Sequence, residues 1–255
     1  MRIGNIGIHK LQKLGVAALA LGLGVGVAAA ADKKGEHAEH LKQVEKQHDA
    51  AAELEAVMGE KGKLLVNDDF TGSSLDPAWK KLKGKWELTD GALKGVELKS
   101  DNHPAVIRRD LNAKDLIAQF SFKFDGGKQT SFSLNNEKGH VCRVVIKPDG
   151  FTLMKDADKK AGTKGVMLAS RKVDIKPGEW HTMLVEVVGN EMLASLDGGK
   201  GKEHLAFGSN PAVNVPKTNF GFPASGEGVS FRNVKVWEAS PKKDWDERKK
   251  QLAGK

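Results

Sequence analysis

The sequence predicts an all-β protein, an antiparallel sandwich or barrel, preceded by a helical segment and followed by a short helix. Three observations carry this. Between Leu64 and Trp237, apolar and polar residues alternate in about a dozen short runs, at spacings of roughly 8–12 residues. Asp-Gly, Gly-Asn and Pro-Asp-Gly pairs separate several runs, and these residues accept the positive φ that tight hairpins need. No run is followed by a long amphipathic helix, which argues against a parallel α/β sheet.

The chain is expected to open with a targeting signal. Arg2, Lys10 and Lys13 supply positive charge, residues 14–30 read LGVAALALGLGVGVAAA without a charge, and Ala28 to Ala31 place small residues where a signal peptidase cuts. The segment 1–31 is therefore expected to be a secretory signal peptide, with cleavage near Ala30 or Ala31. The uncharged run is short and rich in Gly and Ala for a spanning helix, so no stable membrane span is expected after removal. No cysteine follows it, which excludes a lipoprotein anchor. The expected location is the periplasm or the extracellular space.

Residues 32–63 are rich in Ala, Glu, Lys and Gln and contain no proline, which favours helix. Leu41, Val44, His48, Ala51 and Met58 form a thin stripe at helical spacing, flanked by Leu54 and Val57. The stripe suits a helix docked on the main domain or self-association through residues 36–60. His37 and His40 share a face but have no third fixed ligand, so no metal site is expected there.

The sandwich is expected over 64–239. Its runs are LLVNDDF (64–70), KWELTD (85–90), ALKGVEL (92–98), AVIRRDL (105–111), LIAQFSFKF (116–124) and TSFSLN (130–135). They continue with VCRVVIK (141–147), FTLMKD (151–156), EWHTMLVEVV (179–188), EMLASLD (191–197), NFGF (219–222) and VSFRNVKVW (229–237). In the tail, 240–255, Ser240 suits an N-cap and Pro241 the first helical position, with Trp245 and Leu252 able to fix the helix to the body.

Composition narrows the function classes. The formal net charge is +8, but acidic residues are interspersed among the lysines and arginines, unlike the single basic stripe of a nucleic-acid binder. The lone cysteine, Cys142, excludes an intrachain disulfide framework and a multi-cysteine zinc site. It sits among Val144 and Ile146 on one strand phase, which reads as buried structure. No cofactor is expected.

Alternation assigns faces. Phe120, Phe122, Phe132, Leu134, Val144, Ile146, Val185, Val187, Phe231 and Trp237 form the expected core. If the strands share one sheet, its outer face presents Gln119, Asn135, Arg143 and Glu186, with Trp180 beside them. An indole, two amides, a guanidinium and a carboxylate suit a sugar ring, which offers hydroxyls and an apolar face. Trp180 would stack on the ring; Gln119, Asn135 and Arg143 would hold hydroxyls. Glu186, with His181 nearby, would act as acid or base.

The stretch from Asp69 to Ala239 resembles the 3-keto-disaccharide hydrolase domain family, secreted bacterial proteins with a concanavalin A-like or laminin-G-like jelly roll related to family 16 glycoside hydrolases. The matching pieces are Asp69-Phe70-Thr71-Gly72 with Trp79 following, Trp86-Glu87-Leu88-Thr89-Asp90-Gly91-Ala92-Leu93, Gly178-Glu179-Trp180-His181, and Val229-Ser230-Phe231-Arg232-Asn233-Val234-Lys235-Val236. The resemblance implies a jelly-roll sandwich, a carbohydrate or glycoside ligand and glycoside-cleaving activity. The usual hydrolytic route needs two carboxyls flanking the bond, and no Glu-x-Asp-x-x-Glu strand occurs in the sequence. The expectation is an exported carbohydrate-recognising jelly roll with hydrolase activity. The alternative is a non-enzymatic surface or periplasmic module associating through its N-terminal helix.

Overall fold

Two antiparallel sheets face each other across a core of phenylalanines. The computed structural model describes residues 53–158, 160–199 and 204–253. With strands numbered in chain order, the first sheet runs β13 (Leu205–Ser209), β12 (Glu191–Leu196), β11 (His181–Val188), β6 (Leu116–Phe124), β15 (Val229–Pro241), β4 (Ala92–Val96) and β3 (Lys85–Thr89). The long β15 also pairs with β1 (Gly59–Asp68). The second sheet runs β10 (Val166–Lys172), β9 (Gly150–Lys155), β8 (Gly139–Lys147), β7 (Gly127–Asn136), β14 (Lys217–Gly226), β5 (Ala105–Ala113) and β2 (Trp79–Lys83). This is the expected jelly-roll sandwich. Among the described residues, no helix is long and apolar enough to cross a membrane.

The predicted hairpins form: Pro148-Asp149-Gly150 turns β8 into β9, Gly189-Asn190 joins β11 to β12, and Asp90-Gly91 joins β3 to β4. Nine of the ten expected core side chains are fully buried in one cluster between the sheets: Phe120, Phe122, Phe132, Leu134, Val144, Ile146, Val185, Val187 and Phe231. The tenth, Trp237, is buried on the opposite face of its sheet, against Ala56, Ile117 and Leu184. The cause is a bulge. The β15–β6 register shifts between Arg232 and Lys235, where Asn233 takes φ 53°. The extra residue reverses the side-chain phase. Val229 and Phe231 point inward before it, Val234 and Val236 after it, and Trp237 turns outward.

The strands without a predicted run, β2, β10 and β13, are all sheet edges. An edge strand is partnered on one side and largely wet, so its sequence need not alternate cleanly. WKKLK in β2 and VMLASRK in β10 are mostly exposed.

Both flanking predictions need correction where the residues are described. The helix expected over 32–63 lies partly outside them, but residues 53–58 are non-helical and strand β1 begins at Gly59, not Leu64. This stretch lies as a strap across the outer face of the first sheet, where Met58 is completely buried with Val188, Leu193 and Trp245. The C-terminal helix begins later than expected. Ser240 and Pro241 extend β15, paired with Glu60 and Gly59, and the helix α1 spans Trp245–Ala253. Trp245 does fix it to the body: its Nε1 donates to Glu191 Oε2 at 2.6 Å and its ring meets Phe207 edge-on. Strap and helix give the first sheet an apolar outer layer, which is why Ile117, Leu184 and Leu193 break the expected polar phase.

Candidate functional site

The predicted site residues fall on two sheets. Strands β6 and β11 belong to the first sheet, β7 and β8 to the second. Gln119 and Glu186 therefore face away from Asn135 and Arg143, across two layers that pack about 10 Å apart. No single sugar touches both groups, so their convergence on one face is corrected.

Glu186 is fully buried beneath the strap. Its Oε1 accepts from the Val57 amide at 2.7 Å, and its Oε2 accepts from the Met58 and Gly59 amides at 2.8 and 2.7 Å. Burial pushes its pKa above the usual carboxylate value against the opposing pull of those amides. Gln119, also buried, accepts from the Leu54 amide through Oε1 at 2.7 Å. Both side chains hold backbone. Trp180 flanks the same sheet, where it stacks on the Arg232 guanidinium at 4.0 Å with Lys123 Nζ at 5.3 Å. His181 turns toward Phe122, and its Nδ1 pairs with Asp197 Oδ2 at 2.8 Å, which raises its pKa. It shares no pocket with Glu186, whose side chain projects from the other face of β11.

The outer face of the second sheet retains Asn135 and Arg143, and the register assembles other groups around them. One row crosses the sheet as Arg143, Ser133, Gly221 and Arg108. Its middle is small by necessity: a Cβ at Gly221 would lie 2.6 Å from the Ile107 carbonyl oxygen and 2.9 Å from Arg108 Cγ. The next row holds His140, Asn135, Asn219 and Asp110. The two rows form a shallow floor between two guanidiniums. Arg143 is bound to Asp156 through two of its three guanidinium nitrogens, Nε to Oδ2 at 2.9 Å and a terminal nitrogen to Oδ1. Arg108 has no ion pair among the described residues.

The amide network fixes the histidine. Asn135 Nδ2 donates to Asn219 Oδ1 at 2.8 Å, so its Oδ1 is the atom that receives His140 Nδ1. The proton of neutral His140 then sits on Nδ1 and the lone pair on Nε2. Desolvation, followed by the positive charge of Arg143, lowers its pKa below the ordinary imidazole value. A cavity of about 290 Å³ opens beside it, lined by His140, Asp156, Lys155 and Val215 among others. A neutral imidazole facing a floor that ends in a guanidinium can remove a proton from a carbon whose resulting anion the guanidinium stabilises.

Sequence reasoning missed Arg108, His140, Asp156 and Asn219 as a group because it had no means of placing β5, β8 and β14 side by side. A register shift between Leu134 and Asn135 separates His140 from its strand neighbour Cys142. Cys142 points into the core, and burial pushes its thiol up to about 12. Among the described residues no three His, Cys, Asp or Glu side chains gather as metal ligands.

Residues 65–237 match the 3-keto-alpha-glucoside-1,2-lyase-like domain family. No curated protein matches the sequence. Solved structures share the fold. The carbohydrate-binding module CBM66 from Bacillus subtilis aligns with TM-score 0.52 and 15% identity, over 63% of this chain and 96% of its own. A galectin-like protein of unknown function from Bacillus subtilis aligns with TM-score 0.54 and 12% identity, over 72% of this chain and 100% of its own. The Bacillus licheniformis beta-glucanase aligns with TM-score 0.50 and 11% identity, over 70% of this chain and 99% of its own. At these identities the likeness concerns the fold alone.

Proposed function

The chain belongs to the 3-keto-alpha-glucoside-1,2-lyase-like family, and on that premise we propose that it is an exported protein that binds a 3-keto-glucoside on the outer face of the second sheet and cleaves it by elimination. The observation that carries the reading is His140, held as a neutral base by Asn135, with Arg143 on its own strand and Arg108 across the floor. In such a substrate the C2 hydrogen lies next to the C3 ketone and is acidified by it. His140 Nε2 takes that proton as the C2–H bond breaks. The electron pair first rests on the ketone oxygen as an enolate, which Arg108, a guanidinium without an ion pair among the described residues, stabilises. It then forms the C1–C2 double bond, and the C1–oxygen bond breaks to release the aglycone, which picks up a proton from water. One acid–base side chain and an oxyanion site suffice, so this route dispenses with the two flanking carboxyls of ordinary glycoside hydrolysis. The carbohydrate-binding and glycoside-cleaving neighbours in fold support the ligand class.

His140→Gln tests this. It keeps a polar side chain near Asn135 and removes the base. Turnover of a 3-keto-disaccharide is expected to fall at least about 100-fold, within the usual range for a general base, while equilibrium binding changes little. In the parent protein, the acid limb of the rate profile should lie below the ordinary imidazole range, near pH 6.5, because His140 stays neutral there. Tight binding by a parent protein that turns over neither oxidised nor ordinary glycosides would replace the lyase reading with a lectin-like one. Export has its own measurement: the intact mass of the secreted chain should correspond to a start near Asp32, and a chain retaining Met1 would overturn it.

A further inference from the structure

A second groove lies on the same outer face, along β8, β9 and β10, and encloses about 420 Å³, within the usual range of a small-ligand site at ~300–1,000 Å³. Its floor is amphipathic. Val145 and Met154 supply apolar surface, and Thr152 and Ser170, directly opposite each other in the ladder, carry hydroxyls 3.2 Å apart. Its far row reads Lys172, Gly150 and Lys147 across three strands, and Gln129 also lines the groove. The glycine is obligatory there. Gly150 has φ 142°, and a Cβ would stand 2.0 Å from the Arg171 carbonyl oxygen. Two lysines thus stand two strands apart, about 10 Å, with no side chain between them.

These lysines form no ion pair among the described residues, nor does Asp149, the one acidic residue lining the groove. The adjoining Arg171 is engaged elsewhere, its guanidinium holding the Leu205 and Ser170 carbonyls, so the two lysines against Asp149 set the balance. The groove therefore carries a surplus of positive charge over a sugar-like floor. Arg143 and Lys147 project from the same face of β8, four residues apart, about 13–14 Å along a strand. That span exceeds one pyranose ring, so one oligosaccharide can reach from the first site to the lysines.

We propose that this groove is a second subsite that takes an anionic unit, bearing a carboxylate or a sulfate ester, of a longer saccharide whose other end occupies the His140 site. The proposal rests on the glycoside-binding reading above. It extends that reading from a disaccharide to an acidic oligosaccharide, with Val145 and Met154 under the ring, Thr152 and Ser170 at its hydroxyls, and Lys147 and Lys172 at its charge.

The test is calorimetric titration of the mature chain with three gluco-oligosaccharides of equal length: neutral, ending in glucuronate, and bearing a terminal sulfate. Two exposed charge contacts should favour the acidic ligands by about three- to tenfold at low salt, and the preference should fade as the salt concentration rises. The double variant Lys147→Ala with Lys172→Ala should bind all three ligands equally and retain the parent's affinity for a neutral disaccharide. A glucuronate-only preference assigns the charge to a carboxylate and a sulfate-only preference to an ester, each supporting the proposal. Equal affinity of the parent for neutral and acidic ligands would overturn it and leave the first site standing. Binding of acidic ligands through the lysines, with unchanged affinity in a variant lacking Arg108 and Arg143, would overturn the first site and leave the second.

Discussion

Phe222→Ala is expected to cost about 3–5 kcal/mol of folding stability, the range for deleting a large buried aromatic side chain. Phe222 sits on the inner face of β14 with no exposed surface. It stacks on Phe231 at 4.5 Å and meets Phe120 edge-on at 5.1 Å, both from the first sheet. From its own sheet it meets Phe132 at 5.7 Å, Phe220 at 6.0 Å and Trp79 at 6.1 Å. With the Phe120–Phe132 stack at 5.4 Å, it is thus one of the ring contacts through which the two sheets touch. Truncation removes the transfer free energy of the ring and leaves a cavity whose walls belong to both layers and cannot close without moving strands. The melting temperature should fall by about 10 °C, at roughly 2–4 °C per kcal/mol for a domain of this size. Urea titration should show a lower midpoint at an unchanged slope. A loss below about 1 kcal/mol would mean that β14 does not bury this face. The neighbours Asn219 and Gly221 lie in the floor of the candidate site, so the substitution should also weaken glycoside binding near the lowered melting point.

How much of this was legible in the sequence depended on whether the information was local. Strand positions and burial phase were: the Phe120, Phe122, Phe132 and Leu134 pattern reads directly as an inward face. Non-local pairing was not. Gln119 and Asn135 carry equally plausible outward amides, yet one lies in the first sheet and the other in the second, and nothing within either strand reports its neighbour. Bulges were equally silent. Asn233 and Val141 each shift a ladder by one residue, which sends Trp237 to the outside and sets His140 and Cys142 on opposite faces. The carboxylate with the strongest sequence claim to chemistry, Glu186, was misread because strand alternation cannot show that another segment covers the outward face. The residues that do gather, Arg108, His140, Arg143 and Asn219, come from three strands, β5, β8 and β14, brought into one sheet by the ladder.

Glu186→Ala is expected to destabilise the domain by at least about 3 kcal/mol, since an unsatisfied buried donor costs about 1–3 kcal/mol and this carboxylate serves three. The amides of Val57, Met58 and Gly59 all point at it. Val57 and Met58 form a bend and Gly59 opens β1, with all three amides directed at the carboxylate, so without it they face the apolar layer of Ile117, Val188 and Trp245. Glu186→Gln is the sharper experiment. It preserves shape and one acceptor oxygen but turns an amide nitrogen toward N–H donors, so at least one donor is lost and two donors oppose each other. It should therefore also destabilise, by about 1–3 kcal/mol, although a neutral side chain is easier to bury than a carboxylate. Because Glu186 holds the strap at its Val57–Gly59 end, where strand pairing takes over, and Gln119 holds it at Leu54, the damage should be local before it is global. Limited proteolysis should cut first between residues 53 and 59, before the sandwich melts. Turnover at the His140 site, on the opposite exterior face, should persist in the Glu186→Gln variant below its melting point. Loss of turnover without loss of stability would restore Glu186 as a catalytic carboxylate and overturn its assignment as the anchor of the strap.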